Sequence, residues 1–185
     1  KIIIENLLKQ LSISNKKWKI AVLRYFNPLG AHPSGLIGEF KIKNSTNLMP
    51  NIEKTFLGFQ KSLSVYGGNY NTHDGTGVRD FIHIEDLIDG HLKAKAFINK
   101  ANGFFIWNLG AGRGYSVLEV IQNCSEIFKK NIEFNIVNER KGDLGEYYAD
   151  ISKSKNELNW EPQRSLERMI HDTYIFMIKC KNNLF

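Results

Sequence analysis

Only two cysteines, Cys124 and Cys180, occur in the 185 residues, with neither metal-ligand spacing nor a partner motif. That excludes a disulfide-stapled scaffold, and reduced thiols point to a cytoplasmic setting. No apolar run approaches the roughly 20 residues that span a bilayer, so no membrane partner is expected. Gly-x-Ser-x-Gly elbows and local Cys/His signatures are missing, which leaves hydrolase chemistry without support. His32, His73, His83, His91 and His171 lack metal spacing and read as surface or core-filling residues, so no metal is expected. Aromatic residues are scattered without RNA-recognition spacing, which argues against a nucleic-acid partner. There is no internal repeat and no Pro/Gly/Ser-rich linker.

What is present is an ordinary globular composition. Hydrophobic residues make up 42% and charged residues 24% of a 21.3 kDa chain. That fits one domain, or a large piece of a bigger one. The net charge is +6, but the 19 lysines against 6 arginines come with 19 asparagines. This compositional bias weakens any inference from basicity; an anionic partner is simply not repelled. Lys1 to Leu8 hold an apolar run of three residues ended by Glu5, unlike a signal peptide. The chain opens in a helical pattern without a cap, with Ile3, Leu7, Leu8 and Leu11 on one face, and we expect further sequence upstream.

Strands and helices alternate along the chain. Ile20 to Phe26 reads as a strand buried on both faces, and residues 47–60 as a helix with Pro50 in its first turn. Leu63 to Tyr66 and Val78 to Ile84 read as extended. Glu85 to Ala101 is a helix with Leu87, Ile88, His91, Leu92 and Ala96 near 3.6 spacing, and Phe104 to Leu109 is a strand. Ser116 and Glu119 form a capping box before a helix over Val117 to Lys130. Ile132 to Val137 is a further strand, and helices over Ser152 to Leu158 and Leu166 to Lys179 follow. This order predicts an α/β class with mostly parallel pairing. The long segments between elements suggest binding loops.

Gly110, Gly112 and Gly114 lie between a strand and a helix, yet the sixth position of a dinucleotide fingerprint is Tyr115 rather than glycine. A tight turn is the preferred reading, although a helix N-terminus there could face an anion. Arg79 beside Asp80, and Arg140 ahead of Asp143, are better candidates. A guanidinium fits phosphate bidentately, and a neighbouring carboxylate can accept from a sugar hydroxyl. The residues alone thus lead to an α/β protein with loops able to bind an anionic, hydroxyl-rich ligand.

Five motifs taken in order carry a resemblance: LRYFNPLGAH (residues 23–32), NLMP (47–50), DGTGVRDFIH (74–83), NLGAGRGYSV (108–117) and RKGD (140–143). As a set they resemble the C-terminal half of the UDP-glucose 4-epimerase family, within the extended short-chain dehydrogenases/reductases. The resemblance covers essentially the whole chain. It implies the last Rossmann strands plus a small α/β substrate domain: residues 1–30 end an NAD-binding domain. Residues 31–185 form mainly a UDP-sugar-binding region, with segments returning to the Rossmann sheet. It implies NAD as cofactor, UDP-glucose and UDP-galactose as substrates interconverted through a 4-keto intermediate, and a homodimer formed through the half not in this chain. By itself the chain is then expected to be inactive. Another nucleotide-sugar enzyme, a 4,6-dehydratase or decarboxylase, and a non-catalytic UDP-sugar-binding module are the alternatives.

The resemblance also assigns residues. Lys1, followed by Ile2, Ile3, Ile4 and Glu5, matches the lysine of a Tyr-x-x-x-Lys motif, catalytic and cofactor-binding. Tyr25 and Phe26 would lie by the nicotinamide. Asn27, Asn47 and Leu48 would contact the sugar nucleotide, and Ser64, Val65 and Tyr66 the uracil. Arg79 and Arg140 would hold the diphosphate and Asp143 the ribose. Tyr147 would fill the space beside the hexose. Thr46 departs from the asparagine found there in some members.

Overall fold

The computed structural model describes residues 1–39 and 45–184. Helix α1 (Ile2–Ser14) leads into β1 (Lys19–Tyr25) and the short β2 (Asn27–Leu29). Then come α2 (Leu48–Leu57), β3 (Leu63–Tyr66), β4 (Val78–Arg79), β5 (Phe81–His83) and α3 (Ile84–Lys100). The chain continues through β6 (Gly103–Leu109), β7 (Tyr115–Ser116), α4 (Val117–Phe128), β8 (Phe134–Val137) and β9 (Glu146–Tyr147). Helices α5 (Ser152–Leu158) and α6 (Leu166–Leu184) complete it. The α/β class and the parallel pairing read from the sequence are what the chain forms. β1 pairs with β6, β2 with β5 and β3 with β8, all parallel; β4 lies between antiparallel β7 and parallel β9.

Two apolar clusters hold these elements. One packs Trp107 and Leu109 of β6 against Leu87 and Ala94 of α3 and Leu158 and Trp160 around α5. The other packs Ile52 of α2, Val65 of β3, Val120 and Ile121 of α4, and Leu166, Met169 and Ile170 of α6. The polar tips of buried aromatic residues find partners, as burial requires: Trp160 Nε1 donates to the Asp86 carbonyl and Trp107 Nε1 to Glu157. His83, fully buried, caps α3. Its Nδ1 accepts from the Glu85 N–H at 3.0 Å while Nε2 faces Asp172 at 3.3 Å. Burial outweighs Asp172 and lowers the His83 pKa. Gly30 (φ +98°) passes so close to this ring that a Cβ would stand 2.7 Å from it, so only glycine fits there.

Three expectations change. β1 is half-buried, because β6 is its one strand partner among the described residues. In α3 the buried line runs through Leu87, Gly90 and Ala94, whereas Ile88 and Leu92 are exposed. Gly90 brings the helix against Leu109, and that contact sets the rotation of the helix. The long segments contain β2, β7 and β9, pieces too short to show a two-residue period.

Asp80 connects these pieces. Its carboxylate is fully buried and accepts from the N–H groups of Ala111 (2.6 Å), Gly112 (3.0 Å) and Ala149 (3.1 Å). Its carbonyl accepts from Asn27 N–H and its own N–H donates to Tyr147 O. A Cβ on Gly110 would lie 2.6 Å from the same carboxylate, so the glycine permits the approach. Removing the acid strands three buried donors, each costing about 1–3 kcal/mol. Asp80→Ala should therefore lose about 3 kcal/mol or more in denaturant unfolding. Ser116→Ala, which opens the capping box of α4 and removes the hydroxyl that donates to Asp74, should lose about 2 kcal/mol. Equal losses for the two variants would contradict this ranking.

Candidate functional site

A cavity of about 550 Å³ opens between the C-terminal end of β2, the start of α2, β3, β4 and the 140–143 segment. Nine sequence-assigned residues line it: Asn27, Asn47, Leu48, Ser64, Val65, Tyr66, Arg79, Arg140 and Asp143. They come from five separate stretches of chain. Asn47 stands at the N-terminus of α2, where unpaired N–H groups favour an anion. Alternation along β3 buries Leu63 and Val65 and turns Ser64 and Tyr66 outward.

The two arginines approach from opposite sides. Arg79 is held from behind: Nη1 donates to the carbonyl oxygens of Val78 (2.9 Å) and Gly145 (3.4 Å), while Nη2 lies 3.9 Å from Asp143 Oδ2. The Arg140 guanidinium sits over the Tyr66 ring, Cζ 3.9 Å from its centroid, and donates to the Thr46 carbonyl at 3.3 Å. Its guanidinium covers the face on which a planar base would stack.

The remaining assigned residues lie outside the cavity lining. Tyr25 Oη is 2.8 Å from His91 Nε2 at the end of β1. Phe26 stacks on Tyr147 with centroids 4.9 Å apart. Lys1 caps α1, its carbonyl accepting the Glu5 N–H. Glu5 in turn bridges to Arg24 of β1 through Nε (2.9 Å) and Nη2, and this hydrogen bonding lowers the Glu5 pKa.

The turn over residues 110–114 does face an anion, but it is the chain's own Asp80. This closes that turn to a cofactor phosphate. It also withdraws Asp80 from any role toward a ligand hydroxyl.

Sequence reading missed Glu53. It is 4% exposed and contributes to the cavity wall. Burial, with the Glu39 charge nearby, pushes its carboxyl up to about 8. The signal was there: Met49, Ile52, Glu53 and Phe56 share the inward stripe of α2, so one acid falls in an apolar face.

Fold and cavity together define an α/β protein with a cavity between loops that is lined by two arginines and several amide and hydroxyl side chains. The chain belongs to the family whose model is described as GDP-mannose 4,6 dehydratase, matched over residues 1–173. It is 43% identical over 174 residues to a UDP-glucose 4-epimerase of Bacillus subtilis, covering 94% of this chain and 51% of that protein. For a UDP-glucose 4-epimerase of Drosophila melanogaster the values are 45% over 172 residues, 92% and 49%. Among solved structures, a Stenotrophomonas maltophila UDP-glucose-4-epimerase with bound NAD and formylated UDP-arabinopyranose superposes with a TM-score of 0.95. It is 39% identical and covers 99% of this chain and 55% of that one. A Bifidobacterium longum UDP-glucose 4-epimerase in complex with NAD+ and UDP gives 0.92 at 41% identity, covering 98% and 54%. The chain thus spans about half the length of these relatives.

The Glu53 carboxyl yields a stability prediction. Its folded value of about 8 lies above the ordinary 4.5. Between those limits the unfolded chain releases the proton and the native chain keeps it, so stability falls as pH rises through this window and levels off above it. Glu53→Gln keeps shape and neutrality. It should raise stability at pH 8 by about 2–4 kcal/mol, with the gain shrinking as pH falls toward 4.5. Denaturant unfolding across that range checks both sign and shape.

Proposed function

We propose that this chain forms the sugar-nucleotide half of an NAD-dependent UDP-glucose 4-epimerase. The reading is carried by one observation: a single cavity gathers Arg79, Arg140, Asp143, the Tyr66 ring beneath Arg140 and the amide side chains of Asn27 and Asn47. Arg79 and Arg140 neutralise the diphosphate, Asp143 accepts from the ribose, and Tyr66 takes the uracil once Arg140 leaves its ring. Charge is concentrated at this end, so the nucleotide is held firmly while the hexose keeps room to turn over. That freedom is what inversion at C4 requires.

The described residues fit one end of NAD. Tyr25 and Phe26 lie at the carboxyl end of β1, the end at which open α/β sheets bind ligands. The Ala111 and Gly112 amides are spent on Asp80, so they are not offered to a pyrophosphate. NAD, when bound, supplies a hydride acceptor and donor. In this reading Lys1 steadies the nicotinamide ribose and lowers the pKa of a tyrosine from the other half. The Tyr147 ring, stacked on Phe26, fills space beside the hexose.

The assay for the reading follows UDP-galactose in the protein carrying both halves. Formation of UDP-glucose supports it, and the 185-residue chain alone should show none. Loss of water to a 4-keto-6-deoxy sugar would instead identify a dehydratase, the reading that the family description favours. Arg79→Ala and Arg140→Ala should each weaken UDP binding about ten- to hundredfold, the effect of a charge-assisted hydrogen bond. Unchanged titrations for both would defeat the clamp. Overpacking costs about 1–3 kcal/mol, so Tyr147→Cys should admit UDP-N-acetylglucosamine that the parent handles poorly. Comparable kcat/KM for both sugar classes in the parent would contradict this role.

A further inference from the structure

Glu53 is a carboxyl with no visible structural duty. It forms no hydrogen bond and no ion pair among the described residues, although it is 4% exposed. Buried polar groups are normally satisfied, and buried acids are normally paired. The groups whose charge couples to Glu53 are Glu39 ahead of α2, Cys124 on α4 and Cys180 on α6. None of them is a cation. Thr173 of α6 shares the cavity wall but spends its hydroxyl proton on the Met169 carbonyl at 2.9 Å. On the other walls stand Arg79 and Arg140, with Asp143 beside Arg79. The side chain therefore lacks a partner among the described residues and contributes to the wall of a cavity lined largely by polar side chains.

We propose that Glu53 is a ligand-facing residue of this cavity that works as a neutral acid. It donates its proton to an uncharged oxygen of the bound nucleotide sugar, and its ionisation weakens the grip on the diphosphate. The proposal rests on the nucleotide-sugar reading above. Two features support it. A neutral carboxylic acid provides a donor that an anionic ligand tolerates, and a carbonyl or hydroxyl oxygen is a suitable acceptor. An ionised carboxylate in the same low-dielectric space would face the ligand's own negative charge without a counter-ion. The elevated proton affinity of the group keeps it neutral at physiological pH. A cavity that uses Glu53 in this way binds best below about pH 8 and loosens above it. By linkage, the bound diphosphate also strengthens the hold of Glu53 on its proton.

The test is calorimetric titration of UDP-glucose into the protein carrying both halves, from pH 6.5 to 9.5, for the parent, Glu53→Gln and Glu53→Ala. Titration of the ligand itself is common to all three and cancels. The parent should lose about tenfold in affinity between pH 7 and 9.5, in line with proton linkage at one site. Glu53→Gln should stay within twofold over the range. Glu53→Ala should be equally flat but weaker at pH 7 by about fivefold, the worth of a neutral hydrogen bond. Parallel pH profiles for parent and Gln variant, or an Ala variant equal to the parent at pH 7, would overturn the role of Glu53 while leaving the nucleotide-sugar reading intact. Absence of UDP-glucose binding in all three proteins at every pH would overturn that reading and the proposal with it.

Discussion

The buried Asp80 carboxylate is the constraint on which the geometry of the site depends. Its oxygens fix the turn after β6 and the strand-like segment at Ala149, and its backbone fixes Asn27 and Tyr147. Burial raises its pKa and the three N–H donors pull it down, with burial the larger effect. The next residue back is Arg79, set in β4 between β7 and β9. Asn27 and Arg79, two of the lining residues, thus take their positions from one acid. The amides of the turn after β6 are here taken by the chain's own carboxylate rather than offered to a ligand.

A second constraint is electrostatic. The cavity presents Arg79 and Arg140 to its ligand, but neither is idle without one. Arg79 is anchored on two carbonyl oxygens and approached by Asp143, and Arg140 rests on the Tyr66 ring. A cation over an aromatic face gains about 0.5–2 kcal/mol, less than a charge-assisted bond to phosphate. Under the proposed reading, a phosphate would outcompete the ring for Arg140, and base and diphosphate recognition would be coupled through that side chain.

Much of this was legible in the sequence, for reasons that particular residues make clear. The capping box at Ser116 and Glu119 is a local interaction written in four residues, and it forms as read. The nine cavity residues were assigned through resemblance, and the fold brings them together. What escaped depended on tertiary contact. Gly90 against Leu109 turned the buried face of α3 away from Ile88 and Leu92. β7 and β9, two residues each, exist because β4 lies between them. The role of Asp80 could not be seen because its partners lie 31 or more residues away. Glu53 was visible as an acid in an apolar stripe, but its lack of a partner among the described residues depends on how α2, α4 and α6 pack together.

The most direct measurement of the central claim is a UDP titration followed by backbone amide resonances in the protein carrying both halves. Shifts are expected at Asn47, Leu48, Tyr66, Arg79, Arg140 and Asp143, with a ring-current change at the Arg140 side chain as it leaves Tyr66. The amides of Ala111, Gly112 and Ala149, held by Asp80, should stay still. Shifts centred instead on the groove between Asp89, Trp160 and Gln163, or on the 110–114 turn with the cavity silent, would contradict it.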